Sequence, residues 1–120
     1  MAYTAIHRHI RISPRKVRPL ADMVRGKLAE EAIEILKYQP HRGARLLEKV
    51  IKSAMGNAND PDNPANRGRL PGLRYLFVKN VWIDGGPMFK RMRPRARGMA
   101  FMVKKRTAHI NVELDSFGKE

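Results

Sequence analysis

Cysteine is absent from the 120 residues. That excludes disulfides, cysteine-ligated zinc and cysteine nucleophiles, and it fits a reducing compartment. Acids are scarce: 11 Asp and Glu stand against 25 Lys and Arg, leaving a formal net charge of +14. Self-repulsion at that level opposes compaction unless a polyanion neutralises it. No apolar run approaches the roughly 20 residues that span a bilayer, and the N-terminal MAYTAIHRHIRISPRK lacks the apolar centre of a signal peptide. Internal repeats and low-complexity tracts are also missing. A soluble intracellular protein without a membrane role is expected.

The apolar content is ordinary, at 42%, so a folded body is expected, and the length suits one small domain with one modest core. Ile6, Ile10 and Ile12 alternate with His7, His9 and Arg11, which predicts a half-buried strand over about residues 3–12. Ser13 and Pro14 then suit the start of a helix, with Val17, Leu20, Ala21, Val24 and Leu28 at helical spacing and Gly26 as a stop. Pro19 lacks an amide proton where the helix needs one, so either the helix kinks there or its regular part begins there. A second helix is predicted over 29–38, with Leu28, Ala32, Ile35 and Leu36 on one face and Pro40 as its end. A third is predicted over about 42–58, with an apolar stripe from Ala44 to Ala58 and a Glu48–Lys52 pair. Gly56–Gly72 has the composition of a long loop. Leu73–Asp84 and Thr107–Asp115 read as strands; in the second, Ala108, Ile110, Val112 and Leu114 point in and Thr107, His109, Asn111 and Glu113 point out. The fold class is therefore α+β: three helices packed on a small three-stranded antiparallel sheet, with a long protruding β-hairpin arm.

The arm is GPMFKRMRPRARGMAFMVKKR, Gly86 to Arg106. Lys90, Arg91, Arg93, Arg95, Arg97, Lys104, Lys105 and Arg106 face no acid between Asp84 and Glu113. About ten residues on each side, at roughly 3.3 Å per residue, project about 30 Å. A solvated basic loop would have no use for Met88, Phe89, Met92, Met99, Phe101 and Met102 among its cations. Guanidinium groups suit bidentate phosphate contact and base stacking, and methionine adapts to irregular crevices. Folded RNA offers phosphate, unstacked bases and clefts together. Arg11, Arg15, Lys16 and Arg18 form a second cluster beside a helix start, where free amides also suit a phosphate.

Catalysis finds no support. Glu30, Glu31 and Glu34 are explained by the helix dipole. His7 and His9 sit at i,i+2 but no further ligand completes a metal site. No nucleophile–base pattern and no glycine-rich phosphate loop occurs. No cofactor or metal is expected. The alternative to RNA binding is an architectural, DNA-bending protein with a basic β-arm, although such proteins dimerise and no helix carries a surplus apolar face here.

RISPRKVRPLADMVRGK (Arg11–Lys27) and GPMFKRMRPRARGMAFMVKKRTAHINVEL (Gly86–Leu114) closely resemble the bacterial-type large-subunit ribosomal protein family numbered twenty-two. The resemblance covers nearly the whole chain to about Asp115 and is weakest in the loop Asn57–Gly72 and after Asp115. It implies one RNA-binding domain over 1–120, with a body of about 1–85 and 107–115, an arm of about 86–106 and a short tail at 116–120. It implies binding to large-subunit ribosomal RNA, a role in assembly and an arm tip lining the nascent-peptide exit tunnel. The tunnel-side tip would be Met88, Phe89, Lys90, Arg91, Met92, Arg93, Pro94, Arg95, Ala96 and Arg97. The five cations of that tip would hold RNA, with Lys104, Lys105, Arg106, Thr107 and His109 in support on the returning strand. Arg11, Ser13, Pro14, Arg15, Lys16 and Arg18 would form the contact of the body. The implied partners are ribosomal RNA, neighbouring ribosomal proteins and the nascent polypeptide, without a homo-oligomer. The implied location is a cytoplasmic ribosome or that of a plastid stroma. GMAFMVKKR is more apolar than the family's usual returning strand.

Overall fold

A computed structural model describes residues 2–62, 75–94 and 96–116. In chain order it has β1 (Ala2–Ile10), α1 (Pro14–Val24), α2 (Ala29–Lys37), α3 (Arg42–Ala58), β2 (Leu76–Gly85), β3 (Phe89–Pro94), β4 (Ala100–Lys105) and β5 (Ala108–Ser116). One antiparallel sheet has the order β1-β5-β2, and β3 and β4 form a second, two-stranded one. The predicted segments 63–72, 73–74 and 117–120 lie outside the described residues.

The helices cover one face of the three-stranded sheet, because each presents one apolar stripe. Val17, Leu20, Ala21 and Val24 of α1, Ala32 and Leu36 of α2, and Leu47, Ile51 and Ala54 of α3 join one buried cluster with Val78, Val81, Ile83, Ala108, Ile110, Val112 and Leu114. Each large side chain fully buried here contributes about 1.5–3 kcal/mol of transfer free energy. Helix α1 begins at Pro14 and runs through Pro19. On the second helix the buried set is Ala29, Ala32, Ile33 and Leu36, with Leu28 37% exposed.

β1 departs from the expected alternation. Tyr3 and Ala5 face the helices, whereas Ile6 is 51% exposed on the other side. The pairing with β5 then shifts between His7 and Ile10, and His9 adopts φ 58. This bulge adds a residue, reverses the strand's parity and returns Ile10 to the core. It also takes His9 out of the regular alternation that would have set it beside His7. Thr107 and Asn111, expected on the outward side, are nevertheless buried, at 3% and 7% exposure.

The free edge of β2 is covered from α1. The Gly26 amide donates to the Val78 carbonyl at 2.9 Å, and the Val78 amide donates to the Lys27 carbonyl at 2.8 Å. Arg18 donates from Nε and Nη2 to the Ile83 carbonyl, and Arg25 from Nη2 to the Val81 carbonyl. An open edge would pair with other chains; two arginines and a loop occupy these edge groups instead.

Arg45 of α3 performs a similar task for α2. Its guanidinium donates to the carbonyls of Leu36, Lys37 and Gln39 at 2.9, 2.9 and 2.7 Å. These carbonyls lie at the C-terminal end of α2, where intrahelical donors run out. Glu48 accepts from Arg45 at 3.1 Å and lies 3.0 Å from Lys52. Partial burial pushes the Glu48 carboxyl up, but the Lys52 hydrogen bond and the Lys52 and Arg45 charges together outweigh burial, and the group lies below its ordinary 4.5.

Arg45→Ala should lower stability by about 1–2 kcal/mol, read as a lower urea midpoint with an unchanged slope. Because folding lowers the Glu48 pKa, its stabilisation is present above 4.5 and is lost as pH falls through the folded value. Glu48→Gln should therefore flatten the fall of the urea midpoint below about pH 4.5, relative to the native chain.

Candidate nucleic-acid interface

The arm is not a straight continuation of the body. Gly85 pairs with Ala108 and the next pair is Phe89 with Lys105, so one strand advances one residue more than the other across the joint. The joint is held by the Thr107 hydroxyl, which donates to the Pro87 carbonyl at 2.6 Å, and by the Gly86 amide, which donates to the Thr107 carbonyl at 2.9 Å. A Cβ at Gly86 would lie 2.4 Å from Thr107 Oγ1 and 3.1 Å from His109 Cε1. Glycine is required there by close approach. His109 in turn accepts a hydrogen bond at Nδ1 from the His9 amide at 3.1 Å, and the two rings meet edge to face at 4.9 Å. The β1 bulge thus braces the root of the arm.

Directly paired residues of an antiparallel ladder share a face. The first face of the arm carries Phe89, Arg91 and Arg93 opposite Lys105, Val103 and Phe101. The second carries Lys90, Met92 and Pro94 opposite Lys104, Met102 and Ala100. Arg91 stacks over Phe89 at 5.7 Å, and Arg106 reaches Met88 Sδ at 3.6 Å. Nearly all these side chains are exposed: Met92 is 63% exposed, Phe101 50% and Met102 55%. At the tip Arg97 and Gly98 turn the chain with φ 63 and 70. The left-handed conformation costs a non-glycine residue about 1–2 kcal/mol. Arg95 lies outside the described residues.

Where the arm leaves the body, a cleft of about 720 Å³ opens. Its walls are Arg11, Ile12, Ser13 and Lys16 around the start of α1, Arg42 at the start of α3, and Phe89, Arg91, Lys104, Lys105, Arg106 and Thr107 of the arm. Seven of these are cations and none is an acid. Gly43 lets the two helix starts meet, since a Cβ there would lie 3.2 Å from both Leu20 and Val17. Neither α1 nor α3 has a side-chain cap hydrogen bond or an acid in its first turn. Two helix N-termini without side-chain caps, with cations around them, suit an anion.

The structure therefore joins the two clusters that are separate in the sequence. Arg11, Ser13 and Lys16 meet Arg91, Lys104, Lys105, Arg106 and Thr107, while Lys90, Arg93 and Arg97 project beyond on the exposed arm. Arg15 is exposed on α1 and does not line the cleft. Arg18 and His109 carry structural bonds, to the β2 edge and the β1 bulge. Arg42, which sequence reading missed, donates to the Arg11 carbonyl at 2.8 Å and extends the cationic wall. Its only sequence signal is a cation in the first turn of a helix, where the macrodipole disfavours it. Titratable metal-site clusters are absent among the described residues, and so is any helix long and apolar enough to cross a membrane.

Gly86→Ala should disturb the joint without unfolding the body. The expected result is a largely retained far-UV spectrum, a loss of about 1–3 kcal/mol in urea and altered amide shifts at Thr107 and His109.

Residues 5–115 match the family described as Ribosomal protein L22p/L17e. Three curated relatives carry the name Large ribosomal subunit protein uL22. That of Rhodopirellula baltica is 61% identical over 93% of this chain and 92% of its own length. Those of Caldicellulosiruptor saccharolyticus and Thermus thermophilus are 47% and 49% identical, over 92% and 95% of this chain and 85% and 95% of their own lengths. A chain matched along nearly its whole length, with a basic two-stranded arm, belongs to the L22p/L17e family of ribosomal proteins, which are structural and not enzymes.

Proposed function

We propose that the chain is a structural constituent of the large ribosomal subunit that binds its RNA through the arm and the cationic cleft and aids its assembly. The carrying observation is the cleft, where seven cations from α1, α3 and both sides of the arm root surround two uncapped helix starts. A phosphate backbone entering it meets the cations and the positive ends of two helix dipoles together. Lys90, Arg93, Arg95 and Arg97 extend the contact along the arm, with Arg15 and Arg18 beside the cleft on the body. The name shared by the relatives supports the assignment to the large subunit, which would place the chain in a cytoplasmic ribosome beside other ribosomal proteins.

The tip, Met88 to Arg97, would line the exit tunnel and meet the nascent polypeptide, as the family resemblance implies. The arm's length fits a tip buried deep in a particle. The chain extends 68 Å along its longest axis with a radius of gyration of 17.8 Å, against about 13 Å for a compact domain near this size. An isolated two-stranded ribbon is marginal in water. RNA would supply the phosphate pairing and the packing for Met and Phe that offset the arm's ordering entropy.

Binding to a structured fragment of large-subunit RNA should weaken steeply with salt. Arg91→Ala and Lys104→Ala should each flatten the log–log slope by about one; unchanged slopes would remove these two from phosphate contact. Duplex DNA at matched salt should compete poorly, and a DNA preference would overturn the reading. Deleting Met88–Arg97 should weaken RNA binding while the helical circular dichroism signal persists.

A further inference from the structure

The helices cover only one face of the β1-β5-β2 sheet. On the other, the register lines up Ile6, Asn111 and Trp82 across the three strands. Ile6 and Trp82 are 51% and 43% exposed, while Asn111 between them is 7% exposed. The Asn111 amide donates to Asp84 Oδ2 at 3.2 Å and to the Trp82 carbonyl at 3.4 Å, which fixes the middle of the row. The sheet therefore offers a rigid strip with two apolar contacts.

Acids also gather on this side, although the chain is strongly basic. Asp84, Glu113 and Asp115 all project to this side, three of only 11 acids in a chain of net charge +14. Lys79 faces Glu113 and Asp115 at 3.7 and 4.0 Å, and Asp84 lies further along the same face beside Asn111. A phosphate backbone laid here would meet like charge beside apolar surface, a costly juxtaposition. A cationic chain would meet complementary charge, and its guanidinium groups could stack on the Trp82 ring.

We infer that this helix-free sheet face receives an extended Arg/Lys-rich polypeptide segment of a partner protein, with apolar side chains seated at Ile6 and Trp82. RNA on the cleft and a basic polypeptide on the sheet would let one small body join two kinds of neighbour. The inference goes beyond RNA binding and does not require it. The arm is itself basic and apolar, so a second copy of this chain is the occupant to exclude.

Trp82 is the single tryptophan of the chain, so its emission reports this face alone. The test is a titration of the full chain with a synthetic peptide of alternating Arg and Leu. Its controls are a peptide with Glu in place of Arg, and a structured RNA. The Arg–Leu peptide should blue-shift the emission saturably; the Glu–Leu peptide and stoichiometric RNA should not. Asp84→Asn combined with Glu113→Gln should weaken the peptide about tenfold or more. Should that variant unfold, Ile6→Lys, at an exposed position, should give the same loss by repulsion. The proposal is overturned by the absence of a shift, by an equal response to the Glu–Leu peptide, or by a shift on RNA. It is equally overturned by full affinity in a folded variant, or by a concentration-dependent shift with dimer mass in the absence of peptide.

Discussion

Uncompensated positive charge is the constraint on which the structure depends. A chain at +14 must fold a body whose own electrostatics oppose compaction. It does so by separating the two tasks. Acids and many internal hydrogen bonds lie with the body: Glu48 between Arg45 and Lys52, Asp22 with Arg25, Glu113 and Asp115 with Lys79. Several cations become fasteners, because a guanidinium can satisfy several carbonyls at once. Arg45 closes the end of α2, and Arg18 and Arg25 close the edge of β2. Among the described residues, the arm and the cleft gather exposed cations with no acid beside them.

That separation explains the local irregularities. An α-helix with a basic first turn and no cap works against its own dipole, and α1 and α3 both begin so. Such a cost is understandable where an external anion completes the helix starts. The left-handed Arg97 at the tip is a second local cost, and it leaves that guanidinium exposed at the far end of the arm. The body, by contrast, follows local rules closely, with a continuous apolar cluster reached from every helix and every strand of its sheet.

Much of this was legible in the sequence, for definite reasons. α2 and α3 fall within a residue of their expected spans because helical spacing and Pro40 mark them. The alternation from Ala108 to Leu114 is regular, and those four side chains are buried. β1 was less legible, because period two holds only while the register does. One left-handed His9 reverses the parity, so Ile6 is exposed while Tyr3 and Ala5 enter the core. Thr107 and Asn111 are polar and read as outward, yet both are buried as fasteners, of the arm joint and of the bare sheet face. Of the site, the charges were visible but their meeting was not. Arg42 joins Arg11 only because α3 and α1 touch at Gly43, a contact between helices that no local pattern encodes.

The register of the arm is set by one extra residue at its joint. Had the body's pairing continued unbroken, Phe89 would oppose Lys104 and Arg91 would oppose Met102, mixing charge and apolar bulk on both faces. The extra residue in the Gly86–Met88 side of the joint shifts every later pair by one. Met92 then faces Met102, while Phe89, Arg91, Arg93 and Phe101 share the other side. A slip of one residue thus brings Phe101 and Lys105 onto the side of Phe89, Arg91 and Arg93, and sets Met92 against Met102 and Lys90 against Lys104 on the other. The first of these meets the cleft through Phe89, Arg91 and Lys105. Gly86 and Thr107 hold that slip in place, so the arrangement of the arm's two surfaces rests on a joint whose one cation is Arg106, set against Met88.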